Sequence, residues 1–398
     1  MICIGKPYVE TVDGQARLCA PVSIGDRGTI LWFGVEERYA RFFTRRADPF
    51  VMALLAMAFR RGLDIRCDAP VSERLLHQLE TYHIPTIANS GIGKRFRIHA
   101  EAAPGTEPGA GAVGTGFTGG VDSLYTVMQH MPGRVQPGFA LTHLTVLNVG
   151  AFKGKRYREN FETACGFARR FADEQGLELV CIDTNFNEDL VDVMSVNGLH
   201  YISDAVTYRI FSAILALNGL FSVYYLSTSN PFKKFMLDPE KVRGDACYYD
   251  LLTVMTCSTG GTTFYPIGGE VTRLQKLIAL SDWEPSYRWL HACFTSEGNC
   301  GVCRKCSIAQ VVFDCLGKLD RYAAVYDLEL YRKNREEFIA RALMRTGGIH
   351  EEGLEELVRA SIPITPQLER RARLLSAAVR VTDTYFRDQD ADIPFAWK

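Results

Sequence analysis

Thr118-Gly119-Gly120-Val121-Asp122-Ser123 is the stretch of this chain best equipped for chemistry. An apolar run, Ala112 to Phe117, precedes it, and helical spacing of Leu124, Val127, Met128 and Met131 follows. That layout predicts a strand, a tight glycine turn and a helix start. Adjacent glycines let backbone approach a ligand closely and adopt positive φ without a Cβ penalty. The unbonded N–H groups of a helix start, backed by the positive end of the dipole, face whatever sits in such a turn. The chemistry is therefore anion binding, with phosphate the natural anion. A Walker A loop is excluded, because its longer glycine spacing and Gly-Lys-Ser/Thr end are missing. Thr118 and Ser123 add hydroxyl donors. An acid beside a phosphate is unfavourable unless a cation compensates, so Asp122 predicts Mg²⁺ bridging phosphate oxygens. An ordinary strand-to-helix turn remains the competing account of a glycine pair taken alone.

A second constellation lies far downstream. Cys293, Cys300, Cys303 and Cys306 form a C-x6-C-x2-C-x2-C run. Three thiols two residues apart and a fourth one short loop away can close a tetrahedral shell around Zn²⁺. Gly298, Asn299 and Gly301 supply turns, while Arg304 and Lys305 offset the negative charge of a tetrathiolate. With four protein thiolates the metal is structural, since no position stays open for substrate. An iron–sulfur cluster is the competing occupant.

The elements that must position these groups follow from pattern. Val22 to Ile24 and Thr29 to Val35 read as strands, Pro49 to Phe59 and Glu73 to Tyr82 as helices, and Phe96 to Ala100 as a strand. An Ala/Gly/Pro-rich stretch follows, and residues 105–111 are expected to be a linker. Beyond it strands and helices alternate. The strands are Leu141 to Val149, Leu177 to Asp183, Ser222 to Ser227 and Thr262 to Ile267; the helices are Tyr157 to Gln175, Ser203 to Leu217 and Glu270 to Leu280. This rhythm predicts an α/β fold, a parallel sheet with helices on both faces and ligands at the carboxyl ends of the strands. The expected organisation is an α+β N-terminal domain (1–104), the linker, an α/β domain (112–320) carrying the cysteine knot (293–306), and a helical C-terminal region (321–398).

Composition narrows the classes. The 398 residues are 47% hydrophobic, enough for a sizeable core, with a formal net charge of -1. Proteins that track a nucleic-acid backbone carry a basic excess, so DNA and RNA are not expected partners. No signal-peptide pattern and no bilayer-length apolar run is present, which predicts a cytoplasmic location without membrane contact. Twelve cysteines, four of them clustered, fit buried thiols plus one metal site.

Phe117 to Ser123 resembles the PP-loop, S-G-G-x-D-S, of the ATP pyrophosphatase superfamily, with Thr118 where serine is usual. Taken with the late cysteine run, the chain is most similar to the 7-cyano-7-deazaguanine synthases over residues 112–320. The resemblance implies a fold of the adenine nucleotide alpha hydrolase (HUP) type. It implies an ATP-dependent ligase that adenylates a carboxylate or amide and installs nitrogen from ammonia or an amine, releasing AMP and pyrophosphate. The acid would be a small molecule or part of a peptide or protein, and the enzyme a homodimer or a member of a pathway complex. Thr118, Gly119, Gly120, Val121, Asp122 and Ser123 would hold ATP and Mg²⁺. Asn148, Lys155, Ser229 and Asn230 sit where they can contact the nucleotide. Arg273 and Lys276, on one face of a late helix, would join Asp122 and Ser123 in catalysis. Cys293, Cys300, Cys303 and Cys306 fall on the family's zinc positions. Two other readings stand beside this one. The first is a sulfurtransferase of the same superfamily, acting on tRNA or a small molecule and needing a reactive thiol such as Cys247 or Cys257. The second is a nucleotide-binding subunit without turnover.

Overall fold

A computed structural model describes residues 1–105, 109–150, 152, 156–186, 188, 202–242, 245–293, 298–344 and 352–375. The chain divides into two compact units, Met1–Thr118 with Gln129–Glu270 and Gly119–Met128 with Val271–Lys398.

The first unit is α/β, built on an 11-stranded mixed sheet among the described residues. Its larger parallel part consists of β9 (Ala112–Gly116), β10 (His143–Leu147), β11 (Glu178–Thr184), β12 (Phe221–Ser227) and β13 (Thr263–Ile267) in the order β13-β12-β9-β10-β11. Its other strands are β1 (Ile2–Ile4), β2 (Tyr8–Val12), β3 (Gln15–Ile24), β4 (Arg27–Glu36), β5 (Ile65–Cys67) and β7 (Ile98–His99); β6 (Val71–Ser72) pairs separately with β8 (Ala102–Ala103). Helices flank the sheet: α1 (Asp48–Arg61), α3 (Tyr157–Gln175) and α4 (Ile202–Ala216), while α2 (Val121–His130) follows β9. The strands and helices expected after residue 112 all form within a few residues of their predicted limits.

β9 lies between β10 and β12: the chain passes from β9 to β10 and β11 on one side, then crosses to β12 and β13 on the other. A strand in that place is the topological switch point, where open parallel sheets bind ligands at their carboxyl edge. Its glycines have a packing reason. A Cβ at Gly114 would stand 2.5 Å from Cε1 of Phe221 and 3.1 Å from Cδ2 of Tyr224, so β12's aromatics seat directly on bare backbone.

Residues 1–104, expected as an α+β N-terminal domain, share one compact unit with the parallel strands. β4 pairs antiparallel with β11, Gly34 opposite Asp183 and Phe33 opposite Thr184, which makes residues 1–104 the continuation of one sheet. The Trp32 N–H donates to Asn185 Oδ1 at 3.0 Å, and Asn185 Nδ2 donates to the Ile30 carbonyl at 2.7 Å. Phe33 also packs edge-on against Phe50 of α1 and against Phe186, at 5.4 and 5.6 Å. Long-range antiparallel pairing leaves no local trace at residues 105–111, where composition pointed to a boundary. Residues on both sides of 320 likewise fall in one unit. In the second unit Tyr322 stacks on Phe313 at 3.7 Å, and Tyr331 and Arg335 both bond Asp314, at 2.8 and 2.7 Å. Residues 376–398 of the expected helical tail lie outside the described residues.

His83 is fully buried within the first unit and ties its early and late segments together. Its Nδ1 meets Thr256 Oγ1 at 2.7 Å and its Nε2 meets the Tyr208 hydroxyl at 2.8 Å. The Thr256 hydroxyl already donates to the Leu252 carbonyl, so His83 Nδ1 carries the proton and Nε2 accepts from Tyr208. Burial pulls this imidazole down to about 3. A depressed folded-state value means that the unfolded chain takes up the proton first. Stability is therefore intact above the ordinary value near 6.5 and falls as pH drops toward 3, by up to about 1.4 kcal/mol per pH unit from this group. Urea titrations at stepped pH should show that slope in the wild type, and His83→Gln should flatten it; equal slopes would exclude the assignment.

Candidate functional site

The glycine turn forms as expected. Phe117 N–H donates to the Thr145 carbonyl at 2.8 Å, which extends the β9–β10 pairing to the edge of the turn. Thr118 ends the first unit and Gly119 opens the second. Gly119 has φ 69°, a left-handed conformation that disfavours any side chain there. Its carbonyl accepts from the His291 N–H at 2.7 Å, so the approach to the cysteine run is hydrogen-bonded to the turn. The Leu124 N–H bonds the Gly120 carbonyl at 2.9 Å and starts α2. The Ser123 hydroxyl donates to that same carbonyl at 3.1 Å.

Asp122 is the centre of the second unit's charge cluster. Arg273 Nη1 reaches Asp122 Oδ2 at 2.9 Å, and Lys276 Nζ reaches Oδ1 at 2.7 Å. Both cations come from one face of α6 (Arg273–Leu280), after α5 (Asp250–Thr256) of the first unit. A capping box sets the start of α6: Thr272 Oγ1 accepts from the Gln275 N–H, and Gln275 accepts from the Thr272 N–H. The two cationic side chains are only 8% and 2% exposed, while Asp122 is 21% exposed. Buried cations need charged partners. Here one carboxylate faces two cations, which leaves local positive charge at a helix N-terminus, the site's demand for an anion.

Lys305 adds to this group. It starts a turn inside α7 (Arg304–Cys315). Burial, with Arg273 close by, pulls its ammonium down to about 8, against the opposing pull of Asp122, Cys303 and Cys293. Lys305 thus faces both the charge cluster and the thiols. Sequence reading gave it only the role of offsetting the thiolates; its place one residue before the ligand Cys306 was the available clue.

The four cysteines come together. Their sulfurs all lie within 4.8 Å of one another, and Cys293 Sγ and Cys303 Sγ are 3.8 Å apart. A tetrahedron with Zn–S bonds of about 2.3 Å has edges of about 3.8 Å, so the donor set fits zinc. Asn299 braces the loop, its Oδ1 accepting from the Cys293 N–H at 3.1 Å and its Nδ2 donating to the Leu290 and Val325 carbonyls at 2.7 and 3.1 Å. Mg²⁺ at Asp122 fits less well. Both carboxylate oxygens are engaged by cations, so Asp122 acts here as the counter-ion that positions Arg273 and Lys276.

The remaining expected contacts belong to the first unit. Asn148, the residue after β10, is buried and sends Nδ2 to Asp183 Oδ1 at 2.6 Å. Ser229 and Asn230 follow β12, and Ser229 is hydrogen-bonded to the Cys247 thiol. Burial, with Asp250 and Asp245 near it, pushes that thiol well above its ordinary value; burial does the same to Cys257. Neither is an activated thiolate. Lys155 lies outside the described residues.

A scan against protein-family models finds no match to this chain, and searches of curated proteins and of solved structures find none.

Zinc analysis should return about one equivalent per chain, without iron. Cys303→Ser should lose it and lower the midpoint of thermal unfolding, because a structural metal's binding energy is folding energy. A metal-free wild type with unchanged stability would contradict the site.

Proposed function

We propose that this chain is an ATP pyrophosphatase that activates a carboxylate (or amide) as its adenylate and transfers it to nitrogen. One observation supports the reading above others: a glycine turn and helix start whose only acid, Asp122, is flanked by two buried cations. Such a cluster serves a group that arrives with more negative charge than it brings itself, as a triphosphate does. The order of the parallel strands, with the turn leaving the switch-point strand, agrees with a HUP-type fold.

In the reaction, an oxygen of the acid attacks the α-phosphorus, the bond from that phosphorus to the bridging oxygen breaks, and pyrophosphate departs. Arg273 and Lys276, held by Asp122, stabilise the charge that grows on the departing group, together with the backbone N–H groups of Gly119 to Ser123. Ammonia or an amine then attacks the carbonyl carbon of the adenylate, AMP leaves, and the nitrogen loses a proton to solvent. Magnesium enters as a companion of the substrate ATP. Cys293, Cys300, Cys303 and Cys306 would hold zinc, which would fix the start of α7, the helix that bears Lys305. The inert environment of Cys247 and Cys257 favours transfer to nitrogen over sulfur transfer through either thiol.

Incubation with ATP, ammonium and a panel of carboxylic acids should release AMP and pyrophosphate in equal amounts. Lys276→Met should reduce that release about 100- to 1000-fold, the cost of removing one preorganised donor. Release of ADP and phosphate, or turnover untouched by Lys276→Met, would defeat the proposal.

A further inference from the structure

The first unit holds an open cavity of about 380 Å³ at the amino edge of its larger parallel part. Ala112 opens β9 there, His143 opens β10 and Glu178 opens β11, and all three line the space. A short 3₁₀ turn after β4, Glu37–Phe42, lays Arg38, Tyr39, Arg41 and Phe42 along one side. Parallel sheets of this kind take their usual ligands at the opposite, carboxyl edge, so the ordinary use of the fold does not account for this cavity.

Its walls divide by chemistry. Tyr39, Phe42 and Leu220 give an apolar surface, and the Tyr39 hydroxyl is fixed by donating to the Leu179 carbonyl at 3.2 Å. The charged groups of the lining are Arg38, Arg41 and Glu178. Arg38 Nη1 meets Glu178 at 3.3 Å and its Nε meets Glu36 at 3.0 Å, so these charges answer one another. Arg41 differs. Its guanidinium stands over the Phe42 ring, 4.7 Å from the centroid, and among the described residues it has no ion pair. A guanidinium placed over a ring keeps its in-plane N–H groups for an acceptor, and its planar fork matches a carboxylate. The cavity's size lies near the lower end for small-molecule sites, which are mostly apolar with a few polar groups that orient the ligand. One unanswered positive charge calls for one negative charge. A carboxylate brings that, whereas a phosphate monoester brings about two.

We propose that this cavity binds a small organic monocarboxylate, its carboxylate on Arg41 and its apolar body on the uncharged lining. The proposal goes beyond the ATP chemistry above and does not depend on it. His143 is the local reporter, half-buried in the cavity wall with Nδ1 2.8 Å from the Thr142 hydroxyl.

The test is an NMR titration at fixed pH with benzoate, 3-phenylpropionate and octanoate, read at the His143 ring signals, which His143→Gln assigns. At least one acid should bind at millimolar concentration or below, and its neutral amide about 10-fold more weakly. Arg41→Gln should weaken that acid about 5- to 20-fold, as expected for a solvent-screened hydrogen bond between charged groups, and leave the amide unchanged. Arg134→Gln, at an exposed arginine outside the lining, should change neither. Ala110→Phe, which fills the cavity, should abolish both. Arg41 and Ala110 are exposed, and circular dichroism verifies that the variants fold; should Ala110→Phe fail, the amide and Arg41→Gln comparisons still decide. No response to any of the three acids, equal affinity for acid and amide, or an equal loss in Arg134→Gln would overturn the site. Tighter binding of phenyl phosphate than of benzoate would overturn the ligand class.

Discussion

One carboxylate shared between two buried cations governs the chemistry of the second unit. Asp122 joins the first turn of α2 to α6 by bonds of 2.9 and 2.7 Å. Buried cations need a charged partner, and Asp122 supplies one to both. The arrangement holds two cations in fixed geometry beside the glycine turn, and that preorganisation is what an electrostatic catalyst requires. It also changes the role of Asp122. Read from sequence it is a metal ligand; in the fold it is the counter-ion that places two side chains from a helix some 150 residues away.

The first unit supplies a different constraint. β9 can sit between β10 and β12 only because its glycines let the aromatics of β12 close on its backbone. Thr145 Oγ1 and the Tyr224 hydroxyl, 2.7 Å apart, pair across the same region, and Thr115 Oγ1 donates to the Tyr225 carbonyl at 3.0 Å. Such satisfied polar contacts in a tightly packed sheet keep strand ends in register, and the groups at those ends inherit the rigidity. The Asn148–Asp183 pair belongs to this framework, the Asn148 N–H donating to the Ile182 carbonyl at 2.8 Å and its carbonyl accepting from the Thr184 hydroxyl at 2.5 Å.

The cysteine cluster lies beside the charge cluster of the second unit. Lys305, in the first turn of α7, has Arg273 and Asp122 as well as Cys303 and Cys293 for electrostatic neighbours, so the thiols and the charge cluster share one neighbourhood.

Local information in the sequence was enough for the turn, the helix that follows it, the alternating strands after residue 112 and the gathering of the four clustered thiols. Each is written in near neighbours: glycine pairs, hydrophobic period, cysteine spacing. The pairing of β4 with β11, the engagement of Asp122 by Arg273 and Lys276, and the bond from Asn148 to Asp183 were decided only by tertiary structure. These depend on partners far apart along the chain, and neither composition nor period encodes which distant group will satisfy a buried charge or an exposed strand edge.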